Sequence, residues 1–125
     1  MQLRQVSRTY QRGQETVQAL DHVSLSFYSA EVTLILGPSG GGKSTLLHLL
    51  GGMDRPDTGE IWEGGQRIDQ LSPHQLAAWR RTHIGFIFQD FYLLPQENAL
   101  DNVSLPLWLS GDPVSLRHAR STALL

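Results

Sequence analysis

Residues 37 to 45 read GPSGGGKST, directly after the apolar run VTLIL at 32 to 36. Four glycines, one proline and a single lysine share these nine positions. Glycine lacks a Cβ, so such a loop reaches positive φ and turns backbone N–H groups inward. Amides that converge on one concave spot favour an anion. The stretch fits G-x-x-x-x-G-K-[ST], with Gly37, Gly42, Lys43 and Ser44 in the fixed places. The residues Gly37, Pro38, Ser39, Gly40, Gly41, Gly42, Lys43, Ser44 and Thr45 are therefore expected to hold phosphates. Lys43 is expected to reach β- and γ-phosphate oxygens, and the Ser44 hydroxyl to ligate Mg²⁺. Side chains are scarce here because the backbone itself is the ligand.

The flanks support this reading. VTLIL is a short apolar run without alternation, which fits a strand buried on both faces, as in a parallel sheet. KSTLLHLLGG follows, with Leu46, Leu47, Leu49 and Leu50 at helical spacing and Gly51–Gly52 able to end the helix. That helix would add N-terminal donors and partial positive charge to the loop. A flexible glycine linker is the bland alternative. It does not account for strand, loop, lysine, hydroxyl and helix arriving in this order. The loop alone does not name a reaction, because kinases, GTPases and transport ATPases share it.

Further out, LRQVSRTY at 3 to 10 reads as a strand and QRGQE at 11 to 15 as a turn. Thr16 to Phe27 partly alternates, as half-buried antiparallel strands do. RPDTGEIWEGGQRI at 55 to 68 holds two short strands among turn residues. Ser72 and Pro73 supply an N-cap and first-turn proline for a helix to about Arg81. IGFIF at 84 to 88 is a second buried-strand candidate. Helices are expected from Gln96 onward, broken by a turn at Gly111–Pro113, with the last pattern running uncapped to Leu125.

Composition bounds the rest. The 125 residues carry a net charge of −2 and 40% hydrophobic residues, which suits one soluble globular domain. No basic surplus points to nucleic acid. With no cysteine, disulfides, thiolate metal sites and cysteine nucleophiles are excluded. The start MQLRQVSRTY lacks the apolar core of a signal peptide, and no run approaches a membrane span, so a cytoplasmic location is expected. The five histidines show no metal-ligand spacing, and Trp62, Trp79 and Trp108 read as packing residues.

Several stretches together resemble the nucleotide-binding domains of ABC transporters, in wording nearest the lipoprotein-release and macrolide-export type. They are Tyr10 placed 27 residues before Gly37, the phosphate loop, RPDTGEIWEGG, and IGFIFQDFYLLPQENALDNVSLPL. The resemblance covers essentially the whole chain. It implies an α/β P-loop NTPase fold: an antiparallel β part over 1–31, part of a parallel core over 32–90, and the start of a helical subdomain over 91–125. It implies that Tyr10 stacks on adenine and that Gln89 reaches Mg²⁺ and the attacking water. It places Phe91 to Pro95 near the surface that docks a membrane permease. ATP and Mg²⁺ would be the cofactors. A permease subunit and a second ATP-binding subunit would be the partners, at the inner face of the cell membrane.

The same family departs from this chain in three respects. Residue 30 is alanine where a glycine is usual, which is expected to matter little. No LSGGQ-like signature, switch histidine or late Asp–Glu pair is present, so the chain alone is expected to bind ATP but hardly hydrolyse it. In the family, strands from a later half lie between the VTLIL and IGFIF strands; without them both would expose edges and apolar faces. Two stretches mimic missing parts. EGGQR at 63 to 67 superficially looks like the signature, but its setting reads as a glycine turn. Asp90 follows an apolar run 47 residues after Lys43 and would suit a small P-loop kinase, although Gln89 interrupts the run. A nucleotide-binding module without turnover is the other alternative.

Overall fold

The computed structural model describes residues 1–125. They form two compact units, Met1–Gly85 and Phe86–Leu125.

The first unit is a four-stranded antiparallel sheet with helices packed on it. Strands β1 (Gln2–Arg12) and β2 (Glu15–Ser26) make a hairpin closed by two residues, with Arg12 opposite Glu15. Strands β3 (Thr58–Glu63) and β4 (Gln66–Arg67) complete the order β2-β1-β3-β4. Alternation in the sequence is imperfect because the ladder is irregular. Register shifts fall between Leu3 and Val6, and Gln5 there has φ +51°. The extra residue re-aims the strand, so Leu3 and Val6, three apart, both reach the core. Two more shifts follow, one between Val6 and Arg8 and one between Arg8 and Thr9; the β2 partners of Arg8 and Thr9 are Leu20 and Gln18, which leaves Ala19 as a bulged residue. The EGGQR stretch is the β3–β4 turn. Glu63 pairs with Gln66, and Gly64 and Gly65 both have positive φ, as a two-residue hairpin turn requires.

Helix α1 (Lys43–Leu50) buries Leu46 and Leu49, and leaves Leu47 exposed. It ends at Gly51 in a Schellman turn: the Met53 amide donates to the His48 carbonyl at 2.8 Å and the Gly52 amide to Leu49 at 3.0 Å. Helix α2 (Pro73–His83) starts at a capping box, in which the Ser72 hydroxyl accepts from the Gln75 amide and the Gln75 side chain accepts from the Ser72 amide. Its Leu76 and Trp79 join Leu3, Val6, Leu20, Leu46, Leu49, Ile61 and Ile68 in one core between sheet and helices.

The two runs expected as buried strands are unpaired. Residues 32–36 and 84–88 belong to no ladder. Val32 is 102% exposed and Ile87 99%, so neither run is covered. Within its own unit, Ile35 packs against the core, and so does Ile84. An apolar strand buried on both faces needs lateral partners and covering layers. Neither run pairs with any strand of the sheet that forms, so each keeps its apolar character without its burial.

The second unit holds α3 (Ala99–Leu109) and α4 (Val114–Thr122). The Asn98 side chain caps α3 by accepting from the Asp101 amide at 2.9 Å. The Asn102 side chain fastens the preceding loop: its oxygen accepts from the Leu94 amide, and its nitrogen donates to the Leu94, Glu97 and Asn98 carbonyls. Ser104 on α3 and Ser121 on α4 are buried. No helix is long and apolar enough to cross a membrane.

Candidate nucleotide-binding site

The glycine loop is set by its two ends. Gly42 is the N-cap of α1, at φ +77° and ψ 0°. A Cβ there would stand 2.3 Å from the Ala19 carbonyl oxygen and 3.1 Å from a methyl of Leu20. Two demands thus select glycine at this position: a left-handed backbone and contact with the β2 bulge. That contact seats the start of α1 on β2 opposite Arg8 and Thr9.

The loop's amides are available. Gly41 donates to the Pro38 carbonyl at 3.2 Å, and the first helical bond runs from Leu46 to Gly42 at 2.8 Å. The amides of Gly40, Gly42, Lys43, Ser44 and Thr45 donate to no protein acceptor. Lys43 folds back over the loop, its ammonium donating to the Gly37 and Pro38 carbonyls at 2.9 and 2.6 Å. The Ser44 hydroxyl is exposed and has no protein partner. Unpaired amides, a movable ammonium and a free hard oxygen suit a phosphate chain with a divalent cation.

Tyr10 lies near the end of β1, where only β2 pairs with it, opposite Val17. It is half-buried and held from two sides. Its hydroxyl donates to Asp54 Oδ2 at 2.6 Å. The Arg8 guanidinium lies over one ring face, 4.7 Å from the centroid. Arg8 also forks onto Asp54, with Nε and Nη2 donating at 3.0 and 2.9 Å, while its Nη1 donates to Asp57 at 2.6 Å. Asp57 in turn accepts from the Thr9 amide at 2.7 Å. Burial alone would raise the Asp54 carboxyl. The Tyr10 hydroxyl, the Arg55 amide and Arg8 outweigh it and hold Asp54 below the usual carboxylate range. The Thr9 amide is the main reason Asp57 is also lowered. Burial works against the Arg8 charge, but Tyr10, Asp57 and Asp54 together leave that guanidinium more firmly protonated than usual.

Reading the sequence singled out Tyr10 but passed over Arg8, Asp54 and Asp57. The signal was there: Arg8 and Tyr10 flank Thr9 on one strand, and DRPD at 54 to 57 puts two carboxylates just past the end of α1. Gln89 and Asp90 belong to the second unit, in an exposed bend outside any helix or strand. After them Phe91, Tyr92 and Leu93 are exposed at 89%, 72% and 64%, which removes the alternative that FYLLP fills the core.

Comparisons with known proteins bear on the family and the fold. A sequence model of the ABC transporter family matches residues 20–124. The macrolide export ATP-binding/permease protein MacB of Sodalis glossinidius is 43% identical over all 125 residues, which cover 19% of that protein. An ABC transporter ATP-binding protein of Thermotoga maritima is 42% identical over the whole chain, which covers 53% of it. Among solved structures, the ATP-binding cassette MJ0796, a dimer bound to ADP and Pi in a post-hydrolysis state, superposes with a TM-score of 0.89 at 38% identity. That match covers 98% of this chain and 54% of the cassette, so the chain spans about half of it. Fold and sequence thus coincide, and the chain belongs to the ABC transporter family, within the ATP-binding domain of those proteins.

Proposed function

We propose that the chain supplies the nucleotide-holding part of a transport ATPase that takes ATP with Mg²⁺. The observation that supports this most is the loop at Gly37–Thr45, where the amides of Gly40, Gly42, Lys43, Ser44 and Thr45 are unpaired while the lysine occupies the loop's own carbonyls. A triphosphate would accept from those amides. It would also draw the Lys43 ammonium off the Gly37 and Pro38 carbonyls. Phosphate oxygens are charged, so the Lys43 bonds would then be ionised at both ends instead of at the donor alone. Ser44 would contribute its hydroxyl to Mg²⁺, which when bound offsets charge on the terminal phosphates. Tyr10 would stack on the base. The roles of Gln89 toward Mg²⁺ and the attacking water rest on the family resemblance.

The partners are proposed on the same footing. Relatives carry ATP-binding and permease parts in one protein, and the matched cassette is dimeric. A second ATP-binding subunit and a membrane permease would complete the machine, with this domain on the cytoplasmic face. The exposed Phe91–Pro95 stretch is the candidate permease contact.

No Asp–Glu pair follows an apolar strand in these 125 residues. The 125-residue chain is therefore expected to bind MgATP in a Lys43-dependent way and to release phosphate negligibly. Binding by calorimetry and steady-state phosphate release, each with Lys43→Ala, test both halves. Lys43-dependent turnover at ordinary ATPase rates would refute the second, and unchanged ATP binding by Lys43→Ala would refute the first.

A further inference from the structure

Tyr10 is more constrained than base stacking requires. An aromatic ring at the end of a two-stranded ribbon has freedom about both side-chain torsions and rides on a fraying strand end. Here both freedoms are removed. The hydroxyl is fixed by Asp54, and one ring face is closed by Arg8. Arg8 is itself fixed, because its three donating nitrogens each meet a carboxylate oxygen. Asp57 is anchored to β1 at both ends: its amide donates to the Ser7 carbonyl at 2.9 Å and its side chain accepts from Thr9.

The origin of Asp54 gives the arrangement its meaning. Asp54 follows the Schellman turn that ends α1, and the same helix begins at the phosphate loop. An eight-residue helix is a rigid spacer of about 12 Å. The Tyr10 ring is therefore held from one end of the helix whose other end carries the loop. Base platform and phosphate cradle share one rigid frame, instead of being joined only through the β2 contact.

We propose that Asp54, with Arg8, is a positioning pair that fixes the Tyr10 ring at a set distance and orientation from the phosphate loop, so that only the face opposite Arg8 receives a nucleobase. The pair raises affinity by removing ring motion before the nucleotide arrives, which is preorganisation. The guanidinium also draws ring electron density toward the covered face, and the depleted open face favours an electron-rich purine. This inference rests on the reading of Tyr10 as the base-stacking residue.

The test separates the base from the phosphates. Affinities for MgATP and for magnesium tripolyphosphate, which has no base, are measured on the 125-residue chain carrying Tyr10→Ala, Tyr10→Phe, Asp54→Ala or the Tyr10→Ala/Asp54→Ala pair. Asp54→Ala is expected to weaken MgATP about 5- to 10-fold, the scale of one ordinary hydrogen bond, and to leave tripolyphosphate unchanged. The double variant should be no weaker than Tyr10→Ala alone. Equal loss of both ligands would show that Asp54 only supports the fold and would overturn the proposal. If Tyr10→Ala weakens MgATP while Asp54→Ala does not, stacking stands and the positioning role is lost. If Tyr10→Ala itself leaves MgATP unchanged, the stacking reading fails first. Should Asp54→Ala not fold, Tyr10→Phe asks the same question, since it deletes only the hydroxyl that Asp54 holds. Selective loss of MgATP is expected there, and wild-type affinity would overturn the proposal.

Discussion

Alanine at Gly42 and at Gly40 separates two demands that the loop makes on its backbone. The two glycines have nearly the same conformation, φ +77° and +78°. They differ in surroundings. A Cβ at Gly40 meets nothing within 4 Å, whereas one at Gly42 would lie 2.3 Å from the Ala19 carbonyl oxygen. The left-handed conformation costs an L-residue about 1–2 kcal/mol, and that is the whole expectation for Gly40→Ala. Gly42→Ala carries the same conformational cost. It must also push α1 away from β2, and overpacking of this kind costs about 1–3 kcal/mol. The sum for Gly42→Ala is about 2–5 kcal/mol. Urea unfolding followed by tryptophan fluorescence reads the difference, because Trp79 sits in the core that Leu46 and Leu49 share. Both midpoints should fall, that of Gly42→Ala further by at least about 1 kcal/mol at constant slope. Equal shifts for the two variants would refute the seating of α1 on the Ala19 bulge.

Other outcomes follow from single features. Ala30 has φ +61°, so Ala30→Gly should stabilise the chain by about 0.5–1 kcal/mol, measured as a raised urea midpoint; here the departure from the family's usual glycine carries a cost that reading the sequence did not assign. The carboxyls of Asp54, Asp57 and Asp69 are all held below the ordinary value, so each adds stability that is present above the unfolded-state value of about 3.9 and lost as pH falls through the lower folded-state values. Unfolding midpoints should therefore drop as pH falls through and below about 4, and Asp69→Asn should flatten that drop; a midpoint independent of pH in this range would contradict the assigned ion pairs. With Val32, Leu34, Leu36, Ile87 and Phe91 each at least 78% exposed, the isolated 125-residue chain should self-associate in sedimentation runs. A chain that stays monomeric at high concentration in those runs would count against the uncovered apolar runs.

What the sequence made legible was local. The phosphate loop, the glycine end of α1, the Ser72 N-cap and the Gly64–Gly65 turn each depend on residue types within a few positions, and those types favour one backbone path. The β1–β2 register was harder. Its bulges at Gln5 and Ala19 arise where core packing re-aims Val6 and where α1 meets β2, and neither is a nearest-neighbour property. VTLIL and IGFIF were read as buried from composition alone. Burial needs partners that periodicity cannot supply, and both runs lie open. At the site, Tyr10 was found through the family resemblance. Asp54 was missed because its contact spans 44 residues and forms only once α1 has folded back on β1.

The central claim is that the main chain of Gly37–Thr45 cradles the anionic end of a nucleotide with help from Lys43. The most direct measurement is a titration of MgATP followed through the amide resonances of this loop by ¹H–¹⁵N correlation spectra. The account predicts saturable shifts concentrated at Gly40, Gly42, Lys43, Ser44 and Thr45, whose N–H groups are unpaired without ligand. Resonances of these five amides that stay in place while ATP is bound would contradict it.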